Sequence, residues 1–158
     1  MPHVDAAYNL ARWIVRADHD AQDIVQEACL RAWRGFDAFR GMDGRTWLLT
    51  IVRNTSLNHL RRNSTHPAEE LPEEIGESDS EACDPQAIAV RAADSQRVKQ
   101  AIDALPVEYR EIVVLREMEE MSYKQISGVT GLPIGTVMSR LARGRKRLRQ
   151  LLDPPWAR

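Results

Sequence analysis

The sequence predicts an all-α protein made of two small helical domains joined by an acidic linker. Three observations predict it. Apolar residues recur near the 3.6-residue period in both halves of the chain. A middle stretch, residues 64–84, carries eight carboxylates and only Leu71 and Ile75 as sizeable apolar side chains. The Ala, Leu and Arg load favours helix over sheet throughout. At 158 residues, 43% hydrophobic and 28% charged, the chain suffices for one medium domain or two small ones.

Composition excludes several classes. No apolar run approaches the roughly 20 residues of a membrane span. The opening MPHVDAAYNLARWIV places Asp5 and other polar residues where a secretion signal needs an apolar stretch. Cys29 and Cys83 lie far apart without a C-x-x-C pair, which points to a reduced cytoplasm rather than a disulfide scaffold. The net charge of −1 conceals a sharp partition. Residues 1–63 hold nine Lys/Arg against seven Asp/Glu (+2), 64–95 hold one against nine (−8), and 96–158 hold twelve against seven (+5). Two basic blocks flank an acidic one, so the pI near 6.4 does not argue against nucleic-acid binding.

The first block, residues 1–63, predicts three helices. Residues 4–17 run without a breaker. Asp20, with Asp23 three residues on, resembles a capping box opening a helix over about 21–35 that carries Ile24, Val25, Ala28, Ala32 and Phe36. Past a loop with Gly35, Gly41 and Gly44, a third helix spans about 45–62 with Leu48, Ile51, Val52, Leu57 and Leu60. Phe36 and Trp47 are expected in the core. Residues 64–86 cannot bury enough surface to offset their ordering entropy and are expected to form a flexible linker.

The second block, 87–153, begins with a helix whose stripe is Val98, Ile102 and Leu105, stopped before Pro106. Tyr109, Ile112, Val113 and Leu115 form the next, to about Glu120. Ser122 with Gln125 is a capping box for a short helix carrying Ile126 and Val129. Thr130-Gly131-Leu132-Pro133 then turns into a last helix over about 135–152, and 154–158 form a frayed tail.

That last helix is the most informative element. Val137, Leu141, Leu148 and Leu152 share one face, while Thr136, Ser139, Arg140, Arg143 and Arg147 lie on another. A capped helix, a Gly-containing turn and a helix with an apolar inside and a Ser/Thr/Arg outside is helix-turn-helix geometry. Arg binds guanine edges bidentately, and the Arg143–Arg147 run suits phosphates. The alternative is a solvated basic helix end favoured by the macrodipole.

Two further patterns are weaker. Asp23, Gln26 and Glu27 share a face bordered by Leu30 and Trp33, which suits a basic partner helix, although an ordinary amphipathic helix explains the same residues. Arg53, Asn54, Asn58, Arg61 and Arg62 recur at helical spacing and can hold phosphates or read bases, with Phe39 and Arg40 in the preceding loop able to stack an unpaired base.

The blocks DAQDIVQEACLRAW, FRG, WLLTIVRN, LRR and LPVEYREIVVLREMEEMSYKQISGVTGLPIGTVMSRLARGRKRLR, taken in order, resemble the extracytoplasmic-function (ECF) sigma factors over nearly the whole chain. The resemblance implies a bacterial transcription initiation factor with a region 2-like domain (1–63), the linker (64–86) and a region 4-like helix-turn-helix domain (87–153). It implies that Asp23, Gln26 and Glu27 dock on core RNA polymerase. It assigns Phe39, Arg40, Arg53, Asn54, Asn58, Arg61 and Arg62 to the −10 element, and Lys124, Thr136, Ser139, Arg140, Arg143 and Arg147 to the −35 element. It also implies an anti-sigma partner. The chain departs from the family pattern at Asn58 (commonly Asp), Met121 (Gly), Met138 (Lys) and Gly144 (Ala), the last expected to weaken the helix by about 1 kcal/mol.

Two promoter elements about two helical turns apart are separated by ~70 Å. The 23 linker residues, 64–86, span at most ~80 Å extended but only ~25 Å as a flexible coil. The linker therefore bridges the elements only when stretched, and otherwise lets the domains collapse together with its −8 charge available to shield the basic faces. The rival reading is a free-standing helix-turn-helix regulator, which leaves residues 20–63 unexplained. An enzyme is a distant third, because His3, His19, His59 and His66 show no metal-ligand spacing with the cysteines and no phosphate loop or nucleophile motif occurs. No cofactor is expected.

Overall fold

A computed structural model describes residues 3–39, 43–63 and 85–153, with backbone alone for Ala38 and 85–92. Arg40, His66, Cys83, the acidic stretch 64–84 and the tail 154–158 lie outside the described residues. Among those described, every regular element is helical: α1 (Val4–Val15), α2 (Asp18–Arg34), a 3-10 turn (Phe36–Ala38), α3 (Gly44–Asn63), α4 (Pro85–Asp103), α5 (Val107–Val113), a π turn (Val114–Met118), α6 (Tyr123–Thr130) and α7 (Ile134–Leu152).

Helices α1, α2 and α3 pack against one another, while α7 packs against both α5 and α6, with α4 laid along α7. The first trio closes over Leu10, Ile14, Ile24, Ala28, Leu49 and Val52, and the second over Ile112, Leu115, Ile126, Val137 and Leu141. A seam joins the two, with α3 against α6 and α1 against α5, so a single apolar cluster runs through both.

The seam is polar at its edges. Arg53 of α3 pairs with the buried Glu111 of α5. Glu119, past the π turn, accepts from Arg45 Nη2 at 2.8 Å and from Asn9 Nδ2 at 2.8 Å. Arg110 donates to the carbonyl of Ile14 at 3.1 Å, which satisfies an open carbonyl at the end of α1. Burial of that guanidinium, with Arg16 nearby, lowers its pKa to about 10. Arg16 in turn donates to the carbonyl of Asp103.

Several local expectations are corrected. Asp20 does not cap α2, which begins at Asp18 after an extended Ala17. Its carboxylate turns instead to His59 of α3, 3.2 Å away. Asp43 caps α3, accepting from the Thr46 N–H at 2.8 Å and from the Thr46 hydroxyl at 2.8 Å. Phe36, expected inside, is 65% exposed, whereas Trp47 packs on the core. Val98 is also exposed.

The left-handed backbone at this helix end lies at Glu120 rather than at Met121. Glu120 carries the left-handed φ of 53°, where glycine is favoured, and Met121 is fully buried. Gly144 has a packing reason: a Cβ there would meet Val113 Cγ2 at 3.0 Å and Tyr109 Cβ at 3.5 Å, so its absence lets α5 and α7 close together.

Candidate nucleic-acid interface

Helices α6 and α7 form the helix-turn-helix. Ser122 caps α6, accepting from the Gln125 N–H at 3.1 Å while the Gln125 side chain accepts from the Ser122 N–H at 2.9 Å. Gly131, at φ 73°, ends α6 in the left-handed conformation. The turn is held from within: Ser127 donates its hydroxyl to the Leu132 carbonyl at 2.6 Å, and Thr130 Oγ1 accepts from the Leu132 N–H at 3.3 Å. Val137, Leu141 and Gly144 face inward, which fixes α7 in rotation about its own axis.

The opposite side of α7 carries Ser139 and Arg143 exposed, with Thr136 and Arg140 half-buried at its flank. Among the described residues Arg140, Arg143 and Lys146 form no ion pair, and the same holds for exposed Lys124 at the start of α6. Arg145 is engaged by Glu117 at 2.6 Å. Arg147, although exposed, also has an intramolecular partner: its guanidinium lies over the Tyr109 ring, 5.0 Å from the centroid. Unpaired cations around a hydroxyl-bearing helix attract a polyanion and leave the groove-facing side chains free to contact base edges.

On α3, Asn54, Asn58, Arg61 and Arg62 share an exposed face, with Arg61 Nη1 donating to the side-chain Oδ1 of Asn58 at 3.5 Å. Arg53 does not join them. Its guanidinium points into the seam and makes two hydrogen bonds to Glu111, which the sequence pattern did not single out. The only local hint is a carboxylate adjoining the wholly buried run Ile112–Leu115. Phe39 is half-buried, stacked with Phe36 (ring centroids 6.4 Å apart) and tilted at 53° against Trp47 (5.0 Å).

A second surface lies on α2. Asp23 and Gln26 are exposed and Glu27 half-buried, on the side opposite the buried Ala21, Ile24, Val25, Ala28 and Ala32. Glu27 pairs with Arg31 at 2.7 Å and Asp23 with His19 at 3.4 Å. Leu30 at 53% exposure and Trp33 at 77% continue this face toward the exposed Phe36. Large apolar side chains rimmed by carboxylates are the composition of a protein interface. Among the described residues no group of three His, Cys, Asp or Glu is placed to hold a metal ion, and no helix is long and apolar enough to cross a membrane.

Comparison with known proteins finds matches for both halves of the chain. Residues 1–66 match the family model described as sigma-70 region 2, and 95–148 match that of sigma-70 region 4. The chain is 38% identical to the RNA polymerase sigma-H factor of Pseudomonas aeruginosa, over 89% of this chain and 79% of that one. It is 34% identical to the ECF RNA polymerase sigma-E factor of Escherichia coli, over 85% and 75%. With the ECF sigma factor SigE of Mycolicibacterium smegmatis it shares 35% identity over 95% of its own length, but spans only 58% of that protein. Two solved structures share the fold. One is the sigma factor RpoE in complex with the anti-sigma factor NepR from Bartonella quintana (TM-score 0.76, 26% identity, 98% of this chain and 94% of that one). The other is CnrH in complex with the cytosolic domain of CnrY (TM-score 0.68, 26% identity, 98% and 84%).

Proposed function

Since this chain belongs to the ECF RNA polymerase sigma factors, we propose that it binds core RNA polymerase through α2 and directs it to promoters read by α3 and α7. Asp23, Gln26 and Glu27, with Leu30 and Trp33, form the polymerase-facing surface. Asn54, Asn58, Arg61 and Arg62, with Phe39 and Arg40 of the preceding loop, contact the −10 element and help to melt it. Arg53 joins them only when α3 separates from α5. Lys124, Thr136, Ser139, Arg140 and Arg143 serve the −35 element; Arg147, stacked on Tyr109, does so after leaving that ring. The factor performs no covalent chemistry of its own and works where polymerase does, in the cytoplasm. Regulation by an anti-sigma protein is supported by the structural neighbour RpoE, which is described in complex with the anti-sigma factor NepR.

The observation that carries this reading is the coexistence of two separate outward surfaces. A free-standing regulator needs α7 but has no use for an exposed Trp33 beside Glu27. The test is reconstitution with purified bacterial core polymerase. The chain should co-elute with the core enzyme and yield promoter-directed transcripts, and Glu27→Lys should abolish both while leaving the far-UV circular dichroism intact. Specific binding of duplex promoter DNA by the chain alone, with no gain on adding core enzyme, would establish the regulator instead.

A further inference from the structure

Helix α7 carries a feature that the cation-and-hydroxyl pattern does not account for. Ile134, Met138 and Ala142, at i, i+4 and i+8, line up as an exposed apolar ridge. Ile134 is 45% exposed and Met138 50%. No described element packs over them, although Val137 and Leu141 of the same helix are enclosed. Ser139 and Arg143 border the ridge on one side, and Arg145 lies along its other edge. Apolar side chains among cations are poorly placed for a protein partner's apolar face but well placed for DNA. In the major groove, the C5-methyl of thymine is the one apolar group that base edges present, while phosphates flank it on both sides.

Resting on the functional reading above, we infer that Met138 reads the methyl group of a thymine in the −35 element. Its unbranched thioether side chain reaches past the helix backbone and adapts to a methyl at more than one depth. The neighbouring Ser139 restricts the adjacent base. Its hydroxyl proton is committed to the Thr136 carbonyl at 3.1 Å, so the oxygen faces outward as an acceptor. An acceptor suits the amino group of adenine or cytosine. Arg140 and Arg143, which form no ion pair among the described residues, suit guanine O6 and N7. The preferred element therefore contains a thymine next to an amino-bearing base, within reach of guanine.

The experiment uses the full chain reconstituted with core polymerase. Selection from a promoter library randomised over the −35 region identifies the preferred element, and each thymine in it is then replaced by uracil, which lacks only the methyl. The expected result is one thymine position where uracil weakens promoter binding about fourfold, the value of removing one buried methyl-sized group at ~0.8 kcal/mol. Met138→Ala should bind the thymine promoter as weakly as the parent binds the uracil one, with no further loss on uracil. Met138→Leu should restore the discrimination. Arg143→Ala should weaken binding to thymine and uracil promoters equally. A selected element without thymine, uniform indifference to uracil, or methyl discrimination that persists in Met138→Ala would each overturn the inference. Absence of any promoter-directed transcript from the library would overturn the sigma-factor reading itself.

Discussion

Arg53 and Glu111 meet across the seam in two hydrogen bonds, Nε to Oε2 at 2.7 Å and Nη2 to Oε1 at 3.1 Å. The Glu111 side chain is 2% exposed and the Arg53 side chain 15%. The two partners are therefore not equivalent. Removing the arginine strands a carboxylate away from water, whereas removing the carboxylate leaves a guanidinium that can still reach solvent.

Arg53→Gln should accordingly destabilise the fold by about 3 kcal/mol, within the range for a broken buried pair. Glu111→Gln should cost about 1–2 kcal/mol, because its amide still accepts one hydrogen bond from Arg53. Urea unfolding of both variants measures the difference, and equal losses would show that the pair is not buried in solution. Glu111→Gln should also tighten binding of the free chain to a single-stranded −10 oligonucleotide, since Arg53 is then held by one hydrogen bond to a neutral amide rather than by two to a carboxylate.

Gly144→Ala separates helix propensity from packing. Propensity alone favours alanine by about 1 kcal/mol. The added Cβ, however, meets Val113 Cγ2 at 3.0 Å, and Val113 is fully enclosed and stiff about χ1. A net loss of about 1 kcal/mol is expected, as for other overpacked sites. Thermal denaturation should show a lowered Tm, and a raised one would mean that α5 yields easily.

Asp43 should set part of the acid limb of stability. Its carboxyl is held below its ordinary value of 3.8, first by the Thr46 backbone N–H, against a smaller opposing effect of burial. A carboxylate whose folded pKa is lowered contributes stability that is complete above its unfolded value and is lost as pH falls through the lowered one. Asp43→Asn should keep the cap at pH 7 yet flatten the stability profile below about pH 4, whereas Asp43→Ala should lose about 1 kcal/mol at pH 7. Denaturation midpoints measured between pH 2.5 and 7 distinguish the three proteins.

Much of this architecture is legible in the amino-acid order because it rests on local rules. The Ser122–Gln125 box, the turn at Gly131 and the two faces of α7 follow from residues within a few positions of each other, and the structure contains all three. The helix limits shift by only a few residues. What escaped depends on partners distant in sequence. Asp20 has the chemistry of a cap, but His59 from another helix takes its carboxylate. Arg53 fits the spacing of a DNA-facing row until Glu111, fifty-eight residues away, draws it into the seam. Phe36 satisfies the apolar period of α2, yet that helix ends at Arg34 and the next turn carries the ring outward. Gly144 reads as a weakness when only its own helix is considered.

The bond from Arg110 to the Ile14 carbonyl bears on how the gene can be dissected. The last turn of α1 is completed by a side chain from the other half, and the apolar wall beside it is shared. A fragment ending at residue 63 would begin life with that carbonyl and that wall open to water. Fragment studies of either promoter-reading half should therefore retain the complementary piece, supplied in trans where the peptide bond between them is cut.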